Sequence, residues 1–192
     1  MKLLNMKKVR DGKYLKNYEL TYENKAGKEK VYEIVSLKEL SQPEDLGKAV
    51  TGVSIAAVRD GKLLLLREFR MAFNREIYGL CAGHVEEGES VEECIRRELY
   101  EETGLELKRI LKIFPPSFST VTISDAKTQI AFAEVEGTIS GEHMSANEQI
   151  QAAFYTPEEV LHLIETETFS SRAQMIAYGF AHGLLQAEPQ EM

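Results

Sequence analysis

The chain has 192 residues, 43% of them hydrophobic, and a formal net charge of −8 at pH 7. This length predicts one domain, with room for a small appendage, and the apolar content is enough for a folded core. The acidic balance argues against a nucleic-acid partner, because phosphate backbones are bound by lysine and arginine. Two cysteines are too few for a disulfide framework and favour a reducing compartment. Since the N-terminus lacks a signal-peptide pattern and no apolar run reaches membrane-spanning length, we expect a cytoplasmic protein with no membrane partner.

Residues 1–46 predict a small, separate β unit. Apolar residues recur near period two on both sides of Asn24–Lys28, where Asn24 and Gly27 favour a turn between two strands. The following segment, SLKELSQPEDLGKAV, is polar, contains a proline and predicts a linker. A lone hairpin is marginally stable in water, so this unit needs something to pack on, including a second subunit. The remaining residues, 47–192, form the second predicted domain.

The second domain predicts an α/β fold. Two apolar strands flank Asp60-Gly61, a hairpin signal, and EIYGLCAGH predicts one short strand that ends in a glycine. A helix is predicted over Ser90–Thr103, with Ser90 and Glu93 as a capping box. Further strands are predicted in LKRILKIF, TQIAFAEV and IQAAFYT, and two more helices in PEEVLHLIET and in SSRAQMIAYGFAHGLL, residues 170–185.

The predicted helix carries three carboxylates on one face. Glu98, Glu101 and Glu102 stand at i, i+3 and i+4, which places their Cβ atoms about 5–6 Å apart. These like charges repel, and the negative end of the helix dipole lies close to Glu101 and Glu102. A solvated acidic face is one reading of this pattern, and a site for a hard divalent cation such as Mg²⁺ is the other.

The spacing of the residues from Gly83 to Leu105 decides between these two interpretations. Gly83, Glu89, Arg97-Glu98-Leu99, Glu101-Glu102 and Gly104-Leu105 match every specified position of the Nudix box. The chain therefore resembles Nudix hydrolases, and within them the ADP-ribose pyrophosphatase-like branch. The resemblance implies an α/β/α sandwich with a mixed sheet plus a small N-terminal antiparallel β unit. It also implies a homodimer that pairs or swaps this unit, and hydrolysis of a nucleoside diphosphate linked to another group, with Mg²⁺ or Mn²⁺ as cofactor.

The resemblance assigns roles to residues of the box. Glu98 and Glu102 match the family's principal metal ligands, Glu101 matches a frequent additional ligand, and Ala82 matches a position that offers its backbone carbonyl. Arg97 matches the arginine that orients the ligand carboxylates. Glu89 is expected to be a structural or outer-shell carboxylate rather than a direct ligand, and Gly83 to let the backbone approach the site.

Outside the box, the resemblance points to a base and to substrate contacts. Glu148 is expected to be the catalytic base, with Glu142 as an alternative, although Ala146 stands where the branch has a second glutamate. Arg70 aligns with an arginine used on substrate phosphate, and Glu76 with a recurrent acidic residue. Tyr32 and Glu33 stand where the branch usually has an Arg-Glu pair near the ribose or base.

The departures from the branch leave the substrate open. Ser119, Thr120 and Val121 replace a Ser-Pro-Gly loop, whereas Ser124-Asp125 retain the serine and acidic residue that follow it. Cys81 stands where proline is common and is expected to be a small buried residue. The favoured substrate is ADP-ribose, cleaved to AMP and ribose 5-phosphate. The alternatives are a GDP- or UDP-sugar pyrophosphatase, and a non-catalytic Nudix-fold module that binds a nucleotide.

Overall fold

A computed structural model of the protein describes residues 1–184. The chain divides into two compact units, one formed by residues 1–52 and 115–129 and the other by residues 53–114 with the chain from Ile130 onward. The domain boundary expected after residue 46 stays a prediction. No helix among the described residues is long and apolar enough to span a membrane.

The first unit contains a three-stranded antiparallel sheet in the order β1-β2-β3, formed by β1 (Lys2–Asp11), β2 (Lys16–Glu23) and β3 (Glu29–Ser36). The predicted turn joins β2 to β3, since the Asn24 side chain accepts hydrogen bonds from the backbone N–H groups of Ala26 and Lys28 at 2.9 and 3.1 Å. The sequence pattern indicated a hairpin, and β1 adds a third strand that makes the sheet less dependent on a partner.

The segment predicted as a linker is folded onto this sheet. Leu40 is buried with Tyr18, Leu20 and Ile34, and its backbone N–H donates to the Tyr18 hydroxyl at 2.8 Å. A short 3-10 turn follows at Pro43–Asp45. The linker prediction was wrong because two apolar residues, the buried Leu40 and the partly buried Leu46, anchor an otherwise polar stretch on the sheet.

The main sheet has eight strands among the described residues and confirms the predicted mixed sheet. Its central order is β11-β5-β4-β10-β8, while β6 pairs with β5, β7 with β4 and β9 with β10. The strands are β4 (Val50–Arg59), β5 (Lys62–Arg70), β6 (Arg75–Gly79), β7 (Cys81–His84), β8 (Glu106–Ile113), β9 (Ser117–Phe118), β10 (Lys127–Glu136) and β11 (Ile150–Tyr155). The single strand predicted in EIYGLCAGH is thus two strands, because its halves pair with different neighbours.

Helices cover both faces of this sheet. Leu64 and Leu66 of β5 share a buried cluster with Ile95 and Leu99 of α1 (Val91–Thr103). The alternate residues of β5, Leu63 and Leu65, pack instead with α2 (Pro157–Thr166) and α3 (Ser171–Ala181). This alternation along one strand produces the predicted α/β/α sandwich.

The helix ends follow the predicted signals. Ser90 and Glu93 form the capping box of α1, with hydrogen bonds of 3.2 and 2.8 Å. Gly104 ends α1 in the left-handed conformation at φ 70°. The last helix ends at Ala181, earlier than predicted, before Gly183 at φ 72°, and Leu185 lies outside the described residues.

Gly104 also lies against the loop that follows β10. A Cβ there would come within 2.8 Å of the Ser140 Cβ and 2.9 Å of its backbone nitrogen. Gly61 has a similar φ of 72°, but a Cβ added there would have no described atom within 4 Å.

We predict that Gly104→Ala destabilises the fold more than Gly61→Ala. Both changes introduce left-handed strain of about 1–2 kcal/mol, and only Gly104→Ala adds overpacking of about 1–3 kcal/mol. Urea unfolding of both variants measures the difference. Equal losses would contradict the close approach of Ser140 to the helix end.

Candidate metal and catalytic centre

Helix α1 turns two of its carboxylates inward. Glu98 and Glu102 retain only 8% and 7% of their accessible surface. One oxygen of Glu102 accepts a hydrogen bond from the backbone N–H of Ala82, on β7, at 3.2 Å. Gly83 leaves the space that Glu98 occupies, since a Cβ at this position would overlap the Glu98 carboxylate. Glycine is therefore needed at position 83 because a larger residue would clash with the Glu98 carboxylate.

Arg97 joins the box loop to the carboxylates of α1. Its Nε and one terminal nitrogen donate to the two Glu89 oxygens at 2.8 and 2.9 Å. The other terminal nitrogen donates to Glu98 at 2.7 Å and to Glu101 at 3.1 Å. The backbone carbonyl of His84 accepts a further hydrogen bond from Arg97 at 2.9 Å. Arg97 therefore fixes the direction of Glu98 while Glu89 fixes Arg97.

Burial makes this cluster unfavourable for negative charge. Burial is the largest cause that raises the pKa of Glu102 to about 8, and the neighbouring charges of Glu98 and Glu68 contribute to this shift. Burial is also the largest cause that raises the pKa of Glu98, and the charges of Glu101 and Glu148 act in the same direction. Arg97 counteracts these effects at Glu98, and hydrogen bonds with Cys81 and Ala82 counteract them at Glu102. A bound cation would relieve the excess of carboxylate charge.

Glu68 belongs to the same electrostatic cluster and was missed in the sequence. It lies on β5 with 13% of its side chain exposed and forms an ion pair with Arg70 at 2.7 Å. Burial raises the pKa of Glu68, with a further contribution from the charge of Glu148. The available signal was the period-two pattern of β5, which carries Leu64, Leu66 and then Glu68 onto the face that packs against α1.

The loop that carries Glu148 is anchored on α1 and on the main core. The backbone N–H of Ser140 donates to the Thr103 carbonyl at 2.9 Å. The His143 ring stacks on Tyr100 of α1 with a centroid distance of 4.1 Å, and Met144 packs against the buried cluster. The Glu148 side chain accepts a hydrogen bond from the Ser145 backbone N–H at 3.0 Å.

The two loop glutamates differ in their surroundings. Glu148 is exposed, and its charge acts on both Glu98 and Glu68. Glu142 is also exposed, and its backbone N–H donates to the Ser140 hydroxyl at 3.2 Å. The structure thus connects Glu148 electrostatically with the carboxylates of α1, as the predicted base requires, while the role itself stays a prediction.

Two of the predicted substrate residues, Arg70 and Glu76, form ion pairs with neighbouring side chains. Arg70 is paired with Glu68, and Glu76 forms an ion pair with Arg67 at 3.0 Å and accepts a hydrogen bond from Gln149 at 3.3 Å. Their roles in substrate binding stay predictions.

Tyr32 and Glu33 lie on β3 in the first unit, where both are exposed. The Tyr32 hydroxyl donates to the Thr122 carbonyl, inside the segment that departs from the branch pattern. Asp125 of that segment accepts a hydrogen bond from the Gly47 backbone N–H at 3.2 Å. This segment is therefore part of the first unit, and its part in substrate binding stays a prediction.

The oxygen donors of the centre suit a hard divalent cation. Glu98 and Glu102 are buried carboxylates, and Glu101 stands beside them on the same helix face. Among the described residues, no three acidic, histidine or cysteine side chains converge on one point that could hold a metal ion. Arg97 donates to one oxygen of Glu98 and to one oxygen of Glu101. The residue types fit the cation.

Comparison with known proteins identifies the family. The NUDIX domain model matches residues 48–178, so the chain belongs to the Nudix family. ADP-ribose pyrophosphatase of Bacillus subtilis strain 168 is 30% identical over 140 residues, which cover 71% of this chain and 75% of that protein. ADP-ribose pyrophosphatase of Escherichia coli K12 is 32% identical over 139 residues, covering 68% of this chain and 66% of the relative.

Two further comparisons support the same branch and fold. The ADP-sugar pyrophosphatase of Mus musculus is 28% identical over 138 residues, covering 69% of this chain and 61% of that protein. The matched region thus spans less than two thirds of the mouse and E. coli relatives. A crystal structure described as an ADP compounds hydrolase superposes with a TM-score of 0.73 at 20% identity, covering 95% of this chain and 92% of that one. The predicted Nudix fold, the resemblance to the ADP-ribose pyrophosphatase-like branch and the class of hydrolase are confirmed.

We predict that Glu89→Gln removes an acid-sensitive part of the stability. The bidentate hydrogen bonds from Arg97 lower the pKa of Glu89 to about 2 from its ordinary value of 4.5. A lowered pKa contributes stability above the ordinary value and loses it as the pH falls through the lowered value. The variant should therefore be less stable at pH 7, by about 1–3 kcal/mol, and the deficit should shrink between about pH 4.5 and about pH 2.

Urea unfolding across this pH range measures the deficit. Glu87→Gln, in the same loop but exposed, is the control and should follow the wild type. A deficit that stays constant down to about pH 2 would contradict the Arg97–Glu89 interaction as its source.

Proposed function

We propose that the protein is a Mg²⁺-dependent pyrophosphohydrolase that cleaves a nucleoside diphosphate sugar, with Mn²⁺ as an alternative cofactor. The preferred substrate is ADP-ribose, which gives AMP and ribose 5-phosphate. The observation that carries the proposal is the burial of Glu98 and Glu102 beside Gly83, with Arg97 as the ion-pair partner of Glu98. The curated ADP-ribose pyrophosphatases among its relatives support the substrate class.

Each residue of the centre has a distinct task in this proposal. Glu98 and Glu102, with Glu101 and the Ala82 carbonyl, would hold the cation. When bound, this cation neutralises phosphate charge and lowers the pKa of a coordinated water. Arg97 keeps the carboxylates directed toward the site through its hydrogen bonds to Glu98 and Glu101.

Glu148 and Arg70 act on the reactants. Glu148 takes a proton from the attacking water. At the same time the water oxygen bonds to phosphorus and the phosphoanhydride bond breaks. Arg70 keeps its ion pair with Glu68 through one terminal nitrogen and offers its other N–H groups to a substrate phosphate, a group that guanidinium binds well. Glu76, Tyr32 and Glu33 are the further substrate contacts that the proposal assigns.

Activity on a substrate panel tests this function. We expect Mg²⁺-dependent hydrolysis of ADP-ribose, measured as phosphate released by a phosphatase from the two products. GDP-mannose and UDP-glucose in the same panel test the alternative sugar nucleotides. Glu98→Gln should reduce turnover by about two orders of magnitude or more, since it removes one predicted ligand charge.

The control for this experiment is Glu165→Gln, an exposed glutamate of α2. It should leave turnover unchanged. Wild-type protein that binds ADP-ribose in calorimetry but hydrolyses no member of the panel, with Mg²⁺ or Mn²⁺, would support a nucleotide-binding module and contradict the proposed enzyme. A retained rate in Glu98→Gln would contradict the metal assignment.

We also propose that the protein is a homodimer that associates through the first unit. The core of this unit, with Tyr18, Leu20 and Ile34, is buried, whereas Val31 on β3 and Leu4 on β1 remain 50% and 44% exposed. Exposed apolar side chains on the two outer strands of this sheet favour an interface between copies.

Sedimentation at micromolar concentration tests the dimer. We expect the wild type to sediment as a dimer and Val31→Asp to shift it toward monomer, because a charge would be buried at the interface. Ala26→Asp adds the same charge in the exposed turn and should remain dimeric. A monomeric wild type would contradict the proposal.

A further inference from the structure

Glu68 lies on the catalytic face of the sheet. In the pairing of β5 with β11, Glu68 stands opposite Ile150, and both Ile150 and Leu66 belong to the cluster that packs against α1. Directly opposed residues of paired strands point to the same face. Glu68 therefore continues the α1-facing row of β5 beyond the apolar core.

The same pairing brings Glu68 next to Glu148. The backbone N–H of Phe69 donates to the Gln149 carbonyl at 3.0 Å, so the strand pairing extends past the end of β11 toward Glu148. Glu148 precedes Ile150 by two residues and is the diagonal neighbour of Glu68, a position typically about 7–8 Å away. The charge of Glu148 raises the pKa of Glu68, which agrees with this proximity.

Arg70 holds one end of the Glu68 carboxylate. The ion pair at 2.7 Å uses the Oε2 atom of Glu68, and only 13% of this side chain is exposed. A carboxylate can accept several hydrogen bonds, so Oε1 is able to accept one from a water molecule. A largely buried carboxylate that is fixed at one oxygen has little freedom to move and can orient such a water.

We propose that Glu68 is a water-holding residue of the active centre, acting together with Glu148. This inference rests on the proposed hydrolase function. Glu148 takes one proton of the attacking water, and Glu68 accepts a hydrogen bond from the other O–H. The water oxygen bonds to phosphorus, the phosphoanhydride P–O bond breaks, and the departing phosphate keeps the bonding electron pair.

Such a role differs from a purely supporting role toward Arg70. If Glu68 served only to hold Arg70 for the substrate phosphate, its loss would raise KM. If Glu68 orients the attacking water, its loss lowers kcat because orientation matters in the transition state. A metal ligand would in turn lose cation affinity.

Steady-state kinetics of Glu68→Gln separate these roles, because glutamine keeps the size and an acceptor oxygen for Arg70. We expect kcat to fall about tenfold to a hundredfold, with KM changed by less than about threefold. Mn²⁺ affinity, measured by titration of the same variant without substrate, should change by less than about threefold. Glu165→Gln is the matched control on the opposite helical layer and should change none of these values.

The double variant Glu68→Gln/Glu148→Gln tests whether the two residues act together. We expect its loss in kcat to be smaller than the product of the single losses. An unchanged kcat in Glu68→Gln, while Glu148→Gln is slow, would overturn this inference and leave the proposed function intact. A rise in KM alone, or a large loss of Mn²⁺ affinity, would also overturn it. An inactive wild type would overturn the proposed function, and the role of Glu68 would fall with it.

Discussion

The centre depends on the hydrogen bonds of one guanidinium group. Arg97 is fixed by Glu89 and by the His84 carbonyl, and in turn it fixes Glu98 and Glu101. Because the guanidinium is planar and presents its donors in a rigid fork, this arrangement determines where the carboxylates of α1 point. Without Arg97, Glu98 would be a buried carboxylate with no cation in contact, which is a strongly unfavourable state.

One guanidinium does not balance the charge that the fold brings together. Glu102 is buried beside Glu98, and Glu68 and Glu148 add negative charge from β5 and from the loop before β11. This charge would oppose folding in the absence of a cation, and binding of a divalent cation would recover that free energy. The loop with Glu148 is meanwhile held by the Tyr100–His143 stack and by Ser140, so the predicted base is kept close to α1.

The local signals in the sequence were sufficient for the helix and for its carboxylate face. The capping box of Ser90 and the stop at Gly104 act within a few residues, and the structure confirms both. β1 was missed because most of its residues are exposed and its many charges hide any alternation. The segment around Leu40 was misread as a linker, because its anchoring contact with Tyr18 spans distant parts of the chain. Glu68 escaped notice for a similar reason, since its importance comes from the pairing of β5 with β11.

The stability of Glu102→Gln with and without Mg²⁺ tests the central claim most directly. Burial raises the pKa of Glu102 to about 8, so the charged form opposes folding increasingly as the pH rises from about 4.5 toward that value. Above about pH 8, without metal, the neutral variant should therefore be at least as stable as the wild type in urea unfolding. Saturating Mg²⁺ should stabilise the wild type, by about 2.7 kcal/mol at a hundredfold excess over Kd, and should have little effect on the variant. A variant that is less stable without metal, or that gains as much from Mg²⁺ as the wild type, would contradict the claim that these buried carboxylates are there to bind a cation.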